Sequence, residues 1–133
     1  EGFLKLHTPN SGETTSLHIG YNGEPLQIFR ITSGSDGVLY GSAVLPAYLV
    51  RVDISAHTVN NIGLIGGGEV YSLLEHHGRI ALAGYSSLSV LMSYDPTQPF
   101  HPGKNGNPSY TEFEGADEGW RPQAMIEGPR GLL

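Results

Sequence analysis

Three short polar connections in the sequence each carry a charged residue just before the start of a predicted strand. They are "GYNGEP", "GGGE" and "GADEGWRP", and their charged residues are Glu24, Glu69 and Arg121. A planar guanidinium pairs with a carboxylate through two parallel hydrogen bonds, which is the geometry that recognition of an acidic sugar requires. Brought together, the two carboxylates and the guanidinium would form a binding site for a polar ligand, with Arg121 recognising its negative charge.

Aromatic residues occur beside these connections or in others of similar composition. Trp120 directly precedes Arg121, and Tyr48 and Tyr85 belong to "SAVLPAY" and "GYSSLS". An indole ring can stack on a sugar ring, although a lone Trp beside a loop is more often a packing residue. We predict that Trp120 and Tyr48 contribute to ligand binding, together with the two carboxylates.

The histidines do not form a recognisable metal site. His76 and His77 are adjacent, but "HHG" has the form of an exposed turn in which His77 takes the place of the Asp in "DG". The sequence contains no H-x-H or H-E-x-x-H spacing and no cysteine, so thiolate ligands and a cysteine nucleophile are excluded. We therefore expect no metal and no other cofactor.

Composition and charge limit the classes of partner. Seven Lys and Arg stand against thirteen Asp and Glu, giving a formal charge of -6, so few residues can neutralise nucleic-acid phosphates. The apolar runs are shorter than the roughly 20 residues that a membrane-spanning helix needs, and no basic-plus-apolar leader opens the sequence. We predict a folded chain that binds neither nucleic acid nor membrane.

The elements that must position these residues are short strands. Nineteen glycines and nine prolines separate brief runs of Leu, Ile, Val and Tyr, which is typical of an all-β fold. Three runs align at offsets of 46 and 42 residues: Phe3–His7, Leu49–Asp53 and Leu91–Asp95. Asp53 and Asp95 open turns, where a carboxylate can accept backbone N–H groups.

A second series of strands runs in phase with the first. Its members are Arg30-Ile31-Thr32, Ser72-Leu73-Leu74 and Met125-Ile126-Glu127. Each leads to a glycine, Gly37, Gly78 or Gly131, at a hairpin turn that needs positive φ. These glycines are 41 and then 53 residues apart. The longer interval contains "PFHPGKNGNPSYTEF", and we interpret residues 99–110 as an insertion in one unit.

A period of about 40 to 50 residues carrying four short strands is typical of β-propeller blades. We predict a partial propeller of four-stranded antiparallel sheets within one domain, with blade pieces at about 1–22, 26–66, 69–114 and 123–133. A single four-stranded sheet cannot cover both of its faces, so we expect the partners to be remaining blades of a parent chain or other copies of this one. A small sandwich or barrel with repeating strands remains the alternative.

Propeller connectivity predicts which connections share a face. With strands a to d numbered from the axis outward, the d-to-a and b-to-c connections lie on the face where ligands usually bind. The three charged residues belong to d-to-a connections, and Tyr48 and Tyr85 belong to b-to-c connections. We therefore expect all five on one face, with the 99–110 insertion on the other.

The pattern "DGVLYG", then "LVRVD" and a Gly-terminated strand, resembles the kelch, YVTN and NHL-like propeller proteins of bacteria. The stretch "DPTQPF…NPSYTEF…WRPQAMIEGPRG" is similar to blades of secreted bacterial propellers associated with polysaccharide breakdown, including polysaccharide lyases. The resemblance implies carbohydrate binding or processing and a secreted or periplasmic location. Such lyases use Tyr, His and Arg to abstract a proton next to a carboxylate, and Tyr85 and Arg121 are the catalytic candidates carried over.

Three functions remain open at this stage. The first is a carbohydrate-binding segment or a lyase acting on acidic polysaccharide. The second is a non-catalytic propeller scaffold for protein interaction, and the third is a chain whose terminal strands pair between copies. The sequence supplies no complete catalytic set, so it leaves open whether the protein is an enzyme.

Overall fold

The computed structural model describes residues 2–19, 25–85, 91–111 and 121–133, and these residues form strands and turns without any helix. Their strands are β1 (Gly2–Thr8), β2 (Glu13–Ile19), β3 (Ile28–Ser33), β4 (Leu39–Ala43), β5 (Ala47–Asp53), β6 (Thr58–Gly66), β7 (Glu69–His76), β8 (Arg79–Tyr85), β9 (Leu91–Tyr94) and β10 (Ser109–Thr111). Across these ranges, no helix long and apolar enough to cross a membrane is found.

The strands pair in chain order into antiparallel sheets. β1 and β2 form a hairpin, β3 to β6 form one four-stranded sheet, and β7 to β10 form another. Each four-stranded sheet is a meander in which consecutive strands are neighbours, as in a propeller blade. The predicted all-β class and its four-stranded antiparallel sheets are confirmed.

Turn chemistry fixes the ends of the strands. The Asp53 carboxylate accepts the backbone N–H of Ala56 at 2.9 Å, and the Asp95 carboxylate accepts both the hydroxyl and the N–H of Thr97, at 2.7 and 2.9 Å. These hydrogen bonds favour the charged forms and hold the pKa of each carboxyl below its usual value. The predicted turn role of both aspartates is confirmed.

The three predicted turn glycines all have positive φ, at 82° for Gly37, 78° for Gly78 and 69° for Gly131. The first and third turns are closed alike, by Gly34 N–H to the Val38 carbonyl at 2.8 Å and by Gly128 N–H to the Leu132 carbonyl at 2.6 Å. The strand predicted between 123 and 133 is not formed, although its turn is. Pro122 and Pro129 lack an N–H donor, and no described strand completes a ladder beside this segment.

The hydrophobic core lies between the two four-stranded sheets. Its buried members are Val38, Tyr40, Ala47, Leu49, Ile65, Val70, Ile80, Leu82, Met92 and Tyr94. Burying each large aliphatic side chain contributes about 1.5–3 kcal/mol. Tyr40 carries the most deeply buried hydroxyl of this core. That hydroxyl donates a hydrogen bond to the Asp36 carboxylate at 2.6 Å. Apolar burial therefore holds the sheets face to face.

The inner strands of the two sheets lie beside each other. The Arg30 Nε donates to the Tyr71 carbonyl at 2.6 Å, across a separation of 41 residues. Val44, just after β4, forms an antiparallel bridge with Glu69 at the start of β7. Since β4 is antiparallel to β3, and the residue that follows β4 bridges antiparallel to the start of β7, β3 and β7 run in the same direction. This arrangement is compatible with the inner strands of neighbouring blades.

The segment around Met125, which is the third member of the glycine-terminated series, contacts β7. The backbone N–H of Met125 donates to Ser72 Oγ at 2.9 Å, and the two residues are 53 apart in sequence. The separations of 41 and 53 residues equal the two offsets between the turn glycines. Contacts between units therefore join positions that the repeat makes equivalent or nearly so.

The β9–β10 connection, which contains most of the predicted insertion, is organised by one buried amide. The Asn107 Nδ2 donates to the carbonyls of Asp95, Gln98 and Pro99 at 2.8, 3.0 and 3.2 Å, and its Oδ1 accepts the Asp95 N–H at 2.6 Å. The connection also reaches the neighbouring sheet, where the Phe100 ring occupies the space that a Cβ on Gly63 would need.

Replacing Asn107 with Ala should lower the free energy of unfolding by about 2–3 kcal/mol, because buried backbone groups would lose their partner. The exposed Asn105 in the same connection provides the matched control, and Asn105→Ala should change stability little. Urea denaturation of the two variants measures the difference. Equal midpoints would contradict this account of the connection.

Candidate functional site

Four of the six predicted site residues lie in the described part of the chain: Tyr48, Glu69, Tyr85 and Arg121. The other two, Glu24 and Trp120, lie outside the described residues. Three of the four, Glu69, Tyr85 and Arg121, come together at one end of β7 and β8. Tyr48 lies on β5, opposite Leu64, and no hydrogen bond or ring contact links it to the other three within the described ranges.

Glu69 and Tyr85 are neighbours because they are directly opposed in the β7–β8 ladder. The strands approach closely here because Gly84 has no side chain. A Cβ on Gly84 would collide with the carbonyl oxygen of Glu69 and with the Cα of Val70. The ladder shifts register between Val70 and Ser72, and such an irregularity redirects side chains next to it.

Arg121 lies over the ring of Tyr85. The guanidinium carbon is 5.4 Å from the ring centroid, within the range of a cation–π contact. The Tyr85 residue is 47% exposed, and Arg121 is exposed as well. The structure thus places the two residues that the resemblance singled out in direct contact, on a surface that a ligand can reach.

Tyr71 belongs to the same group, and the sequence analysis missed it. Its hydroxyl donates a short hydrogen bond to the Glu69 carboxylate. This bond, partial burial and the negative charge of Glu69 raise the pKa of Tyr71, while the positive charge of Arg121 opposes the rise. Strand pairing, a hydrogen bond, a cation–π contact and charge effects thus link four residues, which we call the site cluster: Glu69, Tyr71, Tyr85 and Arg121.

One sequence signal could have found Tyr71. It stands two residues after Glu69 within the same apolar run, and alternate residues of a strand share a face. In the structure Tyr71 falls at the register shift, where the alternation of faces is interrupted, so this signal alone does not fix the position of its side chain.

A second arginine adjoins the site cluster from β3. The Arg30 guanidinium lies 4.4 Å over the Phe29 ring while its Nε donates to the Tyr71 carbonyl at 2.6 Å. The Phe29 and Tyr71 rings meet edge to face, with centroids 6.0 Å apart. The aromatic and cationic surface thus extends from β8 across β7 to β3.

The connections around the site cluster are tied together. The Leu45 N–H donates to the Gly68 carbonyl at 3.4 Å, and the Val44–Glu69 bridge lies next to it. The β4–β5 and β6–β7 connections are therefore adjacent, and they are the b-to-c and d-to-a connections of the propeller interpretation. Glu69 is positioned by this junction.

The histidine pair lies at the other end of β7, at its turn with β8. The His76 and His77 rings are 4.1 Å apart, and the His76 Nδ1 is 3.8 Å from the Glu127 carboxylate. Within the described ranges, no group of three or more His, Asp or Glu residues could hold a metal ion. A cavity of about 110 Å³ at this end is lined by His76, Arg79, Met92 and Leu133, among others. Ligand pockets are usually about 300–1,000 Å³, so this cavity is smaller than the usual pocket for a small-molecule ligand.

No protein-family model, no curated protein and no solved structure matches this chain. The resemblance to bacterial propellers is thus not supported by a relative, and function is argued from the contacts of the site cluster.

Replacing Glu69 with Gln should lower the pKa of Tyr71 towards the ordinary tyrosine value. The variant removes both the strongest acceptor of the hydroxyl and the negative charge beside it. Because the folded state favours neutral Tyr71, the stability from this bond is present below the ordinary pKa of 10.0 and is lost as the pH rises through the raised value.

Tyrosine ¹³Cζ shifts followed from about pH 8 to about pH 12 measure this change. Glu75→Gln, which alters a carboxylate at the far end of β7, is the control and should leave Tyr71 unchanged. An unaltered Tyr71 titration in Glu69→Gln would show that the two groups do not interact.

Gly84→Ala should force β7 and β8 apart at the site cluster and destabilise the protein by about 1–3 kcal/mol, the usual cost of overpacking. Gly103→Ala is the matched control, since a Cβ there would meet only the backbone nitrogen of Gly106 at 4.0 Å. Urea midpoints compare the two variants. The close approach described above is wrong if both lose the same stability.

Proposed function

We propose that the chain forms part of a β-propeller and that the site cluster binds carbohydrate carrying carboxylate groups. The propeller arrangement is supported by two four-stranded meanders whose inner strands run side by side in the same direction. It is also supported by contacts between units at the offsets of the repeat, 41 and 53 residues. Ligands bound near the inner strands would meet residues from more than one unit.

The observation that carries the ligand class is the Arg121 guanidinium over the exposed ring of Tyr85. An exposed tyrosine ring offers an apolar face for the C–H groups of a sugar. The adjacent guanidinium offers paired donors for a carboxylate. Glu69 supplies a carboxylate that can accept hydrogen bonds from sugar hydroxyls. Together these groups match a uronic acid better than a neutral sugar.

The site cluster is better suited to binding than to elimination. A general base needs a pKa near the working pH, whereas the hydrogen bond to Glu69 keeps Tyr71 in its neutral form. The cluster contains no histidine. If the lyase chemistry implied by the resemblance occurs here, Tyr85 is the base and Arg121 stabilises the charge that develops on the substrate.

Titration with trigalacturonate and with its methyl ester tests the proposal, because esterification removes the charge of each carboxyl group and adds only a methyl group. We expect the acid to bind at least about tenfold more tightly. Arg121→Gln should remove most of that preference, since hydrogen bonds to charged groups contribute about 1.5–3 kcal/mol. Calorimetry gives both affinities.

Arg130→Gln is the matched control, because it removes the same charge from a turn near His77, at the opposite end of β7 from the site cluster. Equal losses in Arg121→Gln and Arg130→Gln would indicate non-specific attraction rather than a site. Failure of the acid to bind would refute the proposal. Ultraviolet absorbance of unsaturated uronate ends in the same mixtures separates a lyase from a binding protein.

A protein-interaction scaffold is the second candidate, and one observation favours it. Three apolar residues of β3, Ile28, Phe29 and Ile31, are 42%, 36% and 50% exposed. Exposed apolar patches on folded chains commonly mark contact surfaces. If neither sugar ligand binds, this function remains, and it requires no chemistry from the site cluster.

A further inference from the structure

We propose that Arg30, held between Phe29 and Tyr71, forms a second anion-binding subsite beside the site cluster, so that the ligand is an oligosaccharide with at least two acidic groups. This inference rests on the proposed function and specifies its substrate further. We call the group of Phe29, Arg30 and the Tyr71 backbone the second subsite.

The Arg30 guanidinium is fixed in place before any ligand arrives. Its Nε donates to the Tyr71 carbonyl at 2.6 Å, and its guanidinium carbon lies 4.4 Å from the centroid of the Phe29 ring. Its two terminal nitrogens make no hydrogen bond within the described ranges, and the residue is exposed. A guanidinium held in this way loses little conformational freedom on binding, and its two terminal nitrogens suit a carboxylate.

Two matching irregularities build this subsite. The β3–β4 ladder shifts register between Ile28 and Arg30, and the β7–β8 ladder shifts between Val70 and Ser72. Phe29 and Tyr71 are the residues skipped by these shifts, and their rings contact each other. Irregularities of this kind redirect side chains and recur next to functional sites.

Arg30 and Arg121 differ from two other arginines of the chain, which form ion pairs with aspartates. Arg51–Asp53 and Arg79–Asp95 are ion pairs at 3.4 and 3.2 Å. By contrast, Arg30 and Arg121 have no carboxylate partner in the part of the chain that the structure describes, although the chain carries a formal charge of -6. Both instead lie over aromatic rings near the inner strands, where an external anion can pair with them.

Tyr71 connects the two positions. Its carbonyl accepts Arg30, its hydroxyl donates to Glu69, and its titration responds to the charge of Arg121. Both guanidiniums therefore lie near Tyr71, whose hydroxyl is bonded to the Glu69 carboxylate. An acidic oligosaccharide laid across this surface would place one carboxylate at each guanidinium and a hydroxyl at Glu69.

If Arg30 only linked β3 to β7, as a structural clasp, the expected results would be different. A clasp would affect stability and leave ligand length irrelevant. A second subsite would affect affinity for oligomers and leave affinity for a monosaccharide unchanged. Ligand length is therefore the variable that separates the two roles.

The test compares galacturonate with trigalacturonate on the wild-type chain, Arg30→Gln and Arg121→Gln, by calorimetry at one low ionic strength. The wild type should bind the trimer about tenfold or more tightly than the monomer, because the second contact is intramolecular once the first has formed. Arg30→Gln should lose that advantage and keep its affinity for the monomer. Arg121→Gln should weaken both.

A direct readout on the wild type guards against misfolding of the variant. The Arg30 Nε–H resonance should shift when trigalacturonate is added and should stay in place with the monomer. If trimer and monomer bind alike, or if Arg30 neither shifts nor affects the trimer, the second subsite is wrong while the proposed function stands. If the wild type binds neither ligand, both are wrong.

Discussion

The packing of one four-stranded sheet against the next is the interaction on which the rest of this chain depends. Each sheet is too thin to bury its own apolar side chains, and the core residues of β4, β5 and β6 become dry only against those of β7, β8 and β9. That contact places β7 beside β3. The hydrogen bond from Arg30 to the Tyr71 carbonyl and the bridge from Val44 to Glu69 then fix the strands along their length.

The site cluster depends on irregular strand pairing at the start of β7 and on the contacts that other segments make there. Gly84 lets β8 approach the start of β7, and the register shift after Val70 redirects Tyr71. The β4–β5 connection holds the backbone at Glu69, while Arg121 comes from a segment that contacts β7 through the Met125 N–H and Ser72 Oγ. Neighbouring units thus contribute to one surface, and a single isolated sheet could not assemble it.

Spacing in the sequence predicted what depends on local chemistry. Positive φ at Gly37, Gly78 and Gly131 and the turn hydrogen bonds of Asp53 and Asp95 follow from residue type and near neighbours. The all-β class follows from short apolar runs between turn residues. Tyr85 and Arg121 were expected on the same face, because their connections were assigned to that face. In the structure the guanidinium carbon of Arg121 lies 5.4 Å from the centroid of the Tyr85 ring.

Features that depend on irregular pairing or on distant contacts were not predictable in this way. Tyr71 and Phe29 lie at register shifts, where the alternation that assigns residues to faces is interrupted. Arg30 was passed over because its partner is a backbone carbonyl 41 residues away, and backbone groups leave no mark in the residue types. The strand expected near Met125 is absent because a ladder needs a partner strand, which a local pattern cannot supply.

A site assembled at the contact between units couples binding to packing. A ligand held by Arg121 and by Arg30 would touch residues brought together by both the β3–β7 contact and the contact of the 121–128 segment with β7. It would bind the packed arrangement and not the separated units, so its free energy of binding would add to that of the core through RT ln(1 + [L]/Kd). Exposed arginines over aromatic rings make little contribution to holding the sheets together by themselves. Their position at the junction would let the proposed acidic ligand strengthen the packing that brings these residues together.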